Sequence, residues 1–222
     1  AASIGKFGDY PVSLYSGLVD ISLPVYEIRS GSLSLPISLK YHPSGNKVTD
    51  IAGWVGLGWT LDAGGMISRK VNGNVEESSN GYLATNNVVK GIVNFRTSQD
   101  DLNYLLDFQR GVIDGEPDVF AYNFPGKSGH FIFNRDKTSL IKLPLDKTNI
   151  TAGIFNNMFT VVDENGIIYQ FGKGLDGSNC YESSTTYDPF KQTAVPVVTS
   201  WLLTAIISAD RADTISFKYT SQ

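Results

Sequence analysis

Apolar and polar residues alternate with a period of two along most of this chain, and glycine, proline and asparagine interrupt the pattern. No other feature constrains the fold as much. In "PDVFAYNFPGKSGHFIFN" (117–134), Phe120, Tyr122 and Phe124 recur at every second position. A Pro-Gly-Lys-Ser-Gly turn follows, and then Phe131 and Phe133. Side chains on a strand point alternately to opposite faces, so the pattern reads as two strands with one buried face each. "MFTVVDENGIIYQFG" (158–172) repeats the design around Asn165-Gly166, the strongest short hairpin signal. The two hairpins form a weak internal echo. Ile21, Leu23 and Val25, then Leu33, Leu35, Ile37, Leu39 and Tyr41, place two more strands in residues 11–41. Pro24 and Pro36 cannot donate to a ladder, which predicts an edge or an irregularity at both. "TSWLLTAIISA" (199–209) and "DTISFKY" (213–219) read as a closing strand pair.

One segment departs from this period. In "SQDDLNYLLDFQR" (98–110), Ser98 is placed to cap a helix, and Asp100 and Asp101 fall in its first turn. Leu102, Leu105 and Leu106 share one face, and Gly111 stops the helix. The spacing predicts a short helix packed on a sheet. Residues 73–90 and 173–195 read as polar loops. The fold class expected is all-β: antiparallel sheets, as a sandwich or an open-barrel-like shell segment, with one short helix. At 222 residues the chain is read as a single β-rich domain, 1–222.

Composition narrows function mainly by exclusion. The net charge is −4 and there is no basic run, so the electrostatic footprint of a nucleic-acid binder is missing. No apolar stretch approaches the roughly 18 residues of a membrane-spanning helix. Residues 1–6 do not have the pattern of a leader peptide. The single cysteine, Cys180, lies in a Gly/Ser/Asn-rich stretch with only His42 and His130 to partner it; it reads as a free loop thiol.

"GWVGLGWTLDAGGMISR" (53–69) is the candidate motif. A phosphate-binding loop needs a third glycine where Leu61 stands and a helix afterwards. Met66–Val71 instead reads as a strand. The structural reading is that Trp54, Trp59 and Leu61 supply bulk while Gly56, Gly58, Gly64 and Gly65 let strands or rings approach bare backbone. Asp62 and Arg69 are read as a buried ion pair or as surface groups. Asp163-Glu164-Asn165-Gly166 carries the oxygens of a calcium loop but fits a hairpin turn better. Asp114, Glu116 and Asp118 alternate as on a solvated strand edge. No metal, cofactor or catalytic set is expected.

Taken in order, "YPVSLYSGLVDISLPVYEIRSGSLSLPISLKYHPSGNKV", "IAGWVGLGWTLDAGGMISRKVNG", "PDVFAYNFPGKSGHFIFN", "DENGIIYQFG", "TSWLLTAIIS" and "DTISFKY" resemble the N-terminal region of RHS/YD-repeat proteins of the Bacteroidetes type. They are similar to the segment that opens the shell-forming B component of Tc insecticidal toxins. Gly56 to Arg69 is the most specific part. The resemblance implies a secreted or cell-surface bacterial polypeptide whose β-rich repeats form a hollow shell around a C-terminal effector. It implies a non-catalytic structural role for this region, with the downstream shell of the same polypeptide as its partner. It offers no catalytic residues. The ending at Gln222, right after a strand, is read as a cut between modules. The alternative is a carbohydrate- or cell-surface-binding β-sandwich, with Tyr181, Tyr187 and Phe190 as its ligand-binding aromatics.

Overall fold

The computed structural model describes residues 19, 21–42, 49–84, 98–134, 136, 138–188 and 193–220. They form antiparallel sheets and one helix, as the alternation requires. The chain divides into two compact units, 1–64 and 65–222.

The first unit holds a three-stranded sheet of β1 (Ile21–Ser30), β2 (Leu33–Tyr41) and β3 (Trp59–Asp62), in that order. Gly31, at φ 53, makes the tight turn between β1 and β2, a conformation that glycine adopts without cost. The register slips between Pro24 and Tyr26, where β1 bulges. Pro36 lies outside the β2–β3 ladder, which runs over Ser38–Tyr41. Pro24 thus flanks the irregularity that its missing N–H predicts, and Pro36, opposite Glu27 in the β1–β2 ladder, has no β3 residue opposite it. Leu33 and Leu35 are buried, whereas Leu23, Val25, Tyr26 and Leu61 are exposed.

The second unit is a ten-stranded sheet curled into a nearly closed barrel. Its path runs β7 (Leu140–Leu143), β6 (Lys127–Phe133), β5 (Val119–Phe124), β4 (Met66–Lys70), β12 (Thr193–Ile207), β11 (Asn179–Asp188), β10 (Ile168–Lys173), β9 (Met158–Val162) and β8 (Asn149–Gly153). The short β13 (Thr214–Ser216) pairs with β12. The long β12 organises the sheet. One of its edges meets β11 and then β10, and the other meets β4 and then β13.

Inward positions carry the aromatics that the alternation marks. Phe120 stacks on Phe131 at 5.0 Å, and Trp201 meets Phe159 edge-on at 4.8 Å. Phe124 packs on Tyr169 at 4.5 Å. Aromatic rings bury the most area per residue and prefer these offset and edge-on geometries. Gly129 faces this layer for a steric reason: a Cβ there would lie 2.5 Å from the Tyr122 hydroxyl.

Four expectations need correction. The β5–β6 turn is only Pro125-Gly126, with Phe124 opposite Lys127, so Lys127–Gly129 belong to β6. Gly126, at φ 77, takes the position where a two-residue turn with proline ahead of it demands a positive φ. Residues 173–195 are not one loop, because β11 and the start of β12 pair from Tyr181–Trp201 to Asp188–Thr193. Ser and Thr, which read as loop formers, fill this ribbon because an exposed strand tolerates polar β-branched residues. Cys180 accordingly lies on β11 and is buried. The helix α1 (Gln99–Gln109) forms with Ser98 accepting from the Asp101 N–H, but it buries none of its residues. Leu105 and Leu106 are half-buried and Leu102 is exposed, and the helix is followed by Gly111 at φ 69.

Candidate functional site

The glycine-tryptophan motif passes from the first unit to the second at Gly64–Gly65. In the first unit Gly56 and Gly58 have φ of 108 and 77. Gly56 N–H donates to the Gly53 carbonyl at 3.1 Å, and Trp59 N–H to the Gly56 carbonyl at 3.4 Å. Trp59 lies at 5.2 Å from Tyr41, and a Cβ on Gly56 would touch its ring at 3.6 Å. Trp54 is 92% exposed and Leu61 is exposed. An open cleft of about 480 Å³ borders the loop, lined by His42, Asp50, Trp59 and Thr60 among others. Asp62 pairs with Lys40 at 2.6 Å, so the expected alternative of an Asp62–Arg69 pair is not formed.

In the second unit the motif continues through Gly65 and Arg69. A Cβ on Gly65 would sit 2.7 Å from the Asn123 carbonyl oxygen and 2.8 Å from Phe124 Cβ. The Gly65 carbonyl accepts from the Leu203 N–H at 2.9 Å. Close approach of two backbones is the reason for glycine here. Ile67 and Arg69 both point inward on β4. The Arg69 guanidinium lies 5.5 Å from the Trp201 ring centre and 6.0 Å from that of Phe120, within reach of a cation–π attraction.

An inward-facing arginine requires carboxylates, and the residues after β4 supply them. Arg69 holds Glu77 through two bonds, at 2.8 and 3.2 Å, and its Nε lies 3.8 Å from Asp118 Oδ2. Asp118 N–H donates to Glu76 Oε1 at 2.7 Å, and Asn72 N–H donates to Asp118 Oδ1 at 2.8 Å. Asn74 N–H donates to Asp114 Oδ2 at 3.0 Å. Asn72 Nδ2 reaches the Pro117 carbonyl and Asn74 Nδ2 the Gly111 carbonyl. The stretch 72–77 is thus zippered onto 111–118. Glu76 and Asp118 are both 0% exposed. Glu76 Oε2, Asp118 Oδ2 and Arg69 Nε are buried without a hydrogen-bond partner. Burial, with the neighbouring acids adding to it, pushes the Glu76 carboxyl up to about 8. Burial likewise pushes Asp118 up to about 6, against the pull of Asn72 N–H and Arg69. Asp114 also rises through burial. Chemically this arrangement holds a proton on Glu76 near neutral pH.

The reading of Asp114, Glu116 and Asp118 as a solvated edge is therefore corrected: Asp114 and Asp118 are buried and only Glu116 is exposed. Glu76, hidden in a polar loop, gave no signal of its own. The signal was Arg69, an arginine in phase with Ile67 on a strand.

A second polar knot joins β7 to β8. Tyr122 Oη donates to Asp146 Oδ2 at 3.0 Å, and Lys142 Nζ donates to Asp146 Oδ1 at 2.8 Å. Burial opposes the Asp146 charge, but Lys142, Thr148 and Tyr122 outweigh it and hold its carboxyl well below the usual range.

The Asp163–Gly166 stretch forms a turn. Asp163 Oδ1 accepts from the Asn165 and Ile167 N–H groups, and Glu164 pairs with Lys127 at 2.6 Å. Among the described residues, no group of three or more His, Cys, Asp or Glu is placed to hold a metal ion. Tyr181 is half-buried on β11 opposite Trp201, and Tyr187 lies on the same strand opposite Ala194. Phe190 lies outside the described residues. Among the described residues, no helix is long and apolar enough to cross a membrane. Compared with protein-family models, with curated proteins and with solved structures, the chain matches none.

Proposed function

We propose that this chain is a non-catalytic structural module of an RHS/YD-repeat-type bacterial polypeptide, secreted or held at the cell surface. It would start or plug the β-shell, and its partner would be the shell that follows in the same polypeptide. The reading rests on the six motifs in their order. The observation that carries it is the apolar surface of the first unit: Leu23, Val25, Tyr26, Ile51, Trp54 and Leu61 are all exposed, with Ile51 and Trp54 at 92%. Apolar side chains gathered on one small unit favour burial against another protein surface. The second unit supports a scaffold in another way, since its interior is filled by stacked aromatics.

The test is an antibody raised against this chain, used on cell and culture fractions of the source organism. The expected result is an exported band far above 24.2 kDa. A single cell-internal band at that mass overturns the proposal.

A further inference from the structure

Glu77 and Asp118 face the guanidinium of Arg69, and two further carboxyls, Glu76 and Asp114, lie close to Asp118. That guanidinium is already bound through two nitrogens to Glu77. Phe120 and Trp201 wall it on the β5 and β12 sides. The remaining charged group on the facing segment is Glu116, also negative, whose N–H donates to Asp114. Two fully buried carboxyls, Glu76 and Asp118, each keep one oxygen without a hydrogen bond, and that of Asp118 has only the 3.8 Å approach of Arg69 Nε. A buried carboxylate in that state is costly unless it takes up a proton.

We propose that segment 72–77 is a proton-locked latch: it stays docked on segment 111–118 while Glu76 and Asp118 together retain a proton, and it loosens when that proton is lost. Every bond of the zipper enters this cluster or lies next to it. Asp118 N–H, Asn72 N–H and Asn74 N–H donate to Glu76, Asp118 and Asp114 respectively. A second negative charge beside Asp118 is repelled by it away from water, and undocking the loop lets both carboxylates regain hydration.

The direction of the effect follows from linkage. The folded chain binds the Glu76 proton up to about pH 8, whereas an unperturbed glutamate releases it near 4.5. Between those values the native state holds a proton that the unfolded chain lacks. The stabilisation is complete below about 4.5 and falls as pH rises toward 8. Asp118 acts in the same sense up to about 6. The module is thus more stable in mild acid than at slightly alkaline pH. This inference does not depend on the scaffold reading.

The experiment is denaturant unfolding of the full chain from pH 5 to pH 8.5, together with native-state hydrogen exchange. The unfolding constant is expected to rise on the order of a thousandfold across that range. The amides of Asn72, Asn74 and Asp118 are expected to lose protection selectively, after correction for base catalysis. Glu76→Gln, which keeps an acceptor for Asp118 N–H, is expected to flatten the pH dependence. A flat profile in the parent, or an unchanged slope in Glu76→Gln, overturns the proposal. If Glu76→Gln does not fold, carboxyl carbon NMR of the parent decides. A Glu76 midpoint above pH 6.5 supports the latch, and a midpoint in the ordinary glutamate range overturns it.

Discussion

The sheet of residues 21–62 and the sheet of residues 66–216 are written in the same alternating code, yet their surfaces differ. In the larger sheet the marked positions are closed off: Phe120, Phe131, Phe159, Phe171, Trp201 and Leu203 are all fully buried or nearly so. In the smaller sheet only Leu33 and Leu35 reach that state, and Leu23, Val25 and Leu61 are exposed. Alternation tells a residue which face it shares with its neighbours. Whether that face is buried depends on a second layer. Ten strands curl round and cover themselves, whereas three strands do not close. The comparison therefore teaches that the small sheet carries apolar area whose stabilising value is realised only when something covers it.

The sharpest way to break this comparison is Phe120→Ala. Phe120 touches Phe131, Phe133, Phe159 and Trp201, so its removal should cost about 3–5 kcal/mol in denaturant unfolding. A loss below about 1 kcal/mol would mean that the barrel interior is not the packed layer described here. A pair of glycine variants comes next. Gly65→Ala should cost about 1–3 kcal/mol, because its Cβ must displace the backbone of Asn123 and Phe124. Gly58→Ala should cost about 1–2 kcal/mol for a different reason, its φ of 77. Equal, negligible effects at both sites in thermal melting would remove the backbone account of the motif. The smallest effect belongs to the small sheet. Tyr26→Ser, at a side chain 68% exposed, should shift stability by no more than about 0.5 kcal/mol in the isolated chain. A large loss there would show that the small sheet is already covered.

Both aromatic hairpins, the Asn165-Gly166 turn, a helix within 98–110 with its Ser98 cap, and β4 after the glycine motif were legible in the residues. Each depends on local rules of turn geometry, capping and period. The ribbon β11–β12 was not legible, because Ser183, Ser184, Thr185 and Thr186 show no apolar alternation and are ordered by pairing with Val195–Val198. The acid cluster was half legible. Asp114, Glu116 and Asp118 were marked as alternating along one edge, but they come from one segment and Glu76 from another, 42 positions before Asp118. Nothing in either segment records that the other will be its neighbour.

The sequence alone determined that this protein is built of antiparallel strands, where most of them turn, and which aromatic faces seek burial. Hydrogen-bond geometry and side-chain period act over a few residues, so a few residues suffice to state them. Only the tertiary structure decided which faces were covered, which Asp and Glu side chains lost their water, and that Arg69 would meet Glu77 and Asp118 rather than Asp62. Burial and charge pairing depend on residues far apart in the chain, and their energies exist only once the fold has brought those residues together.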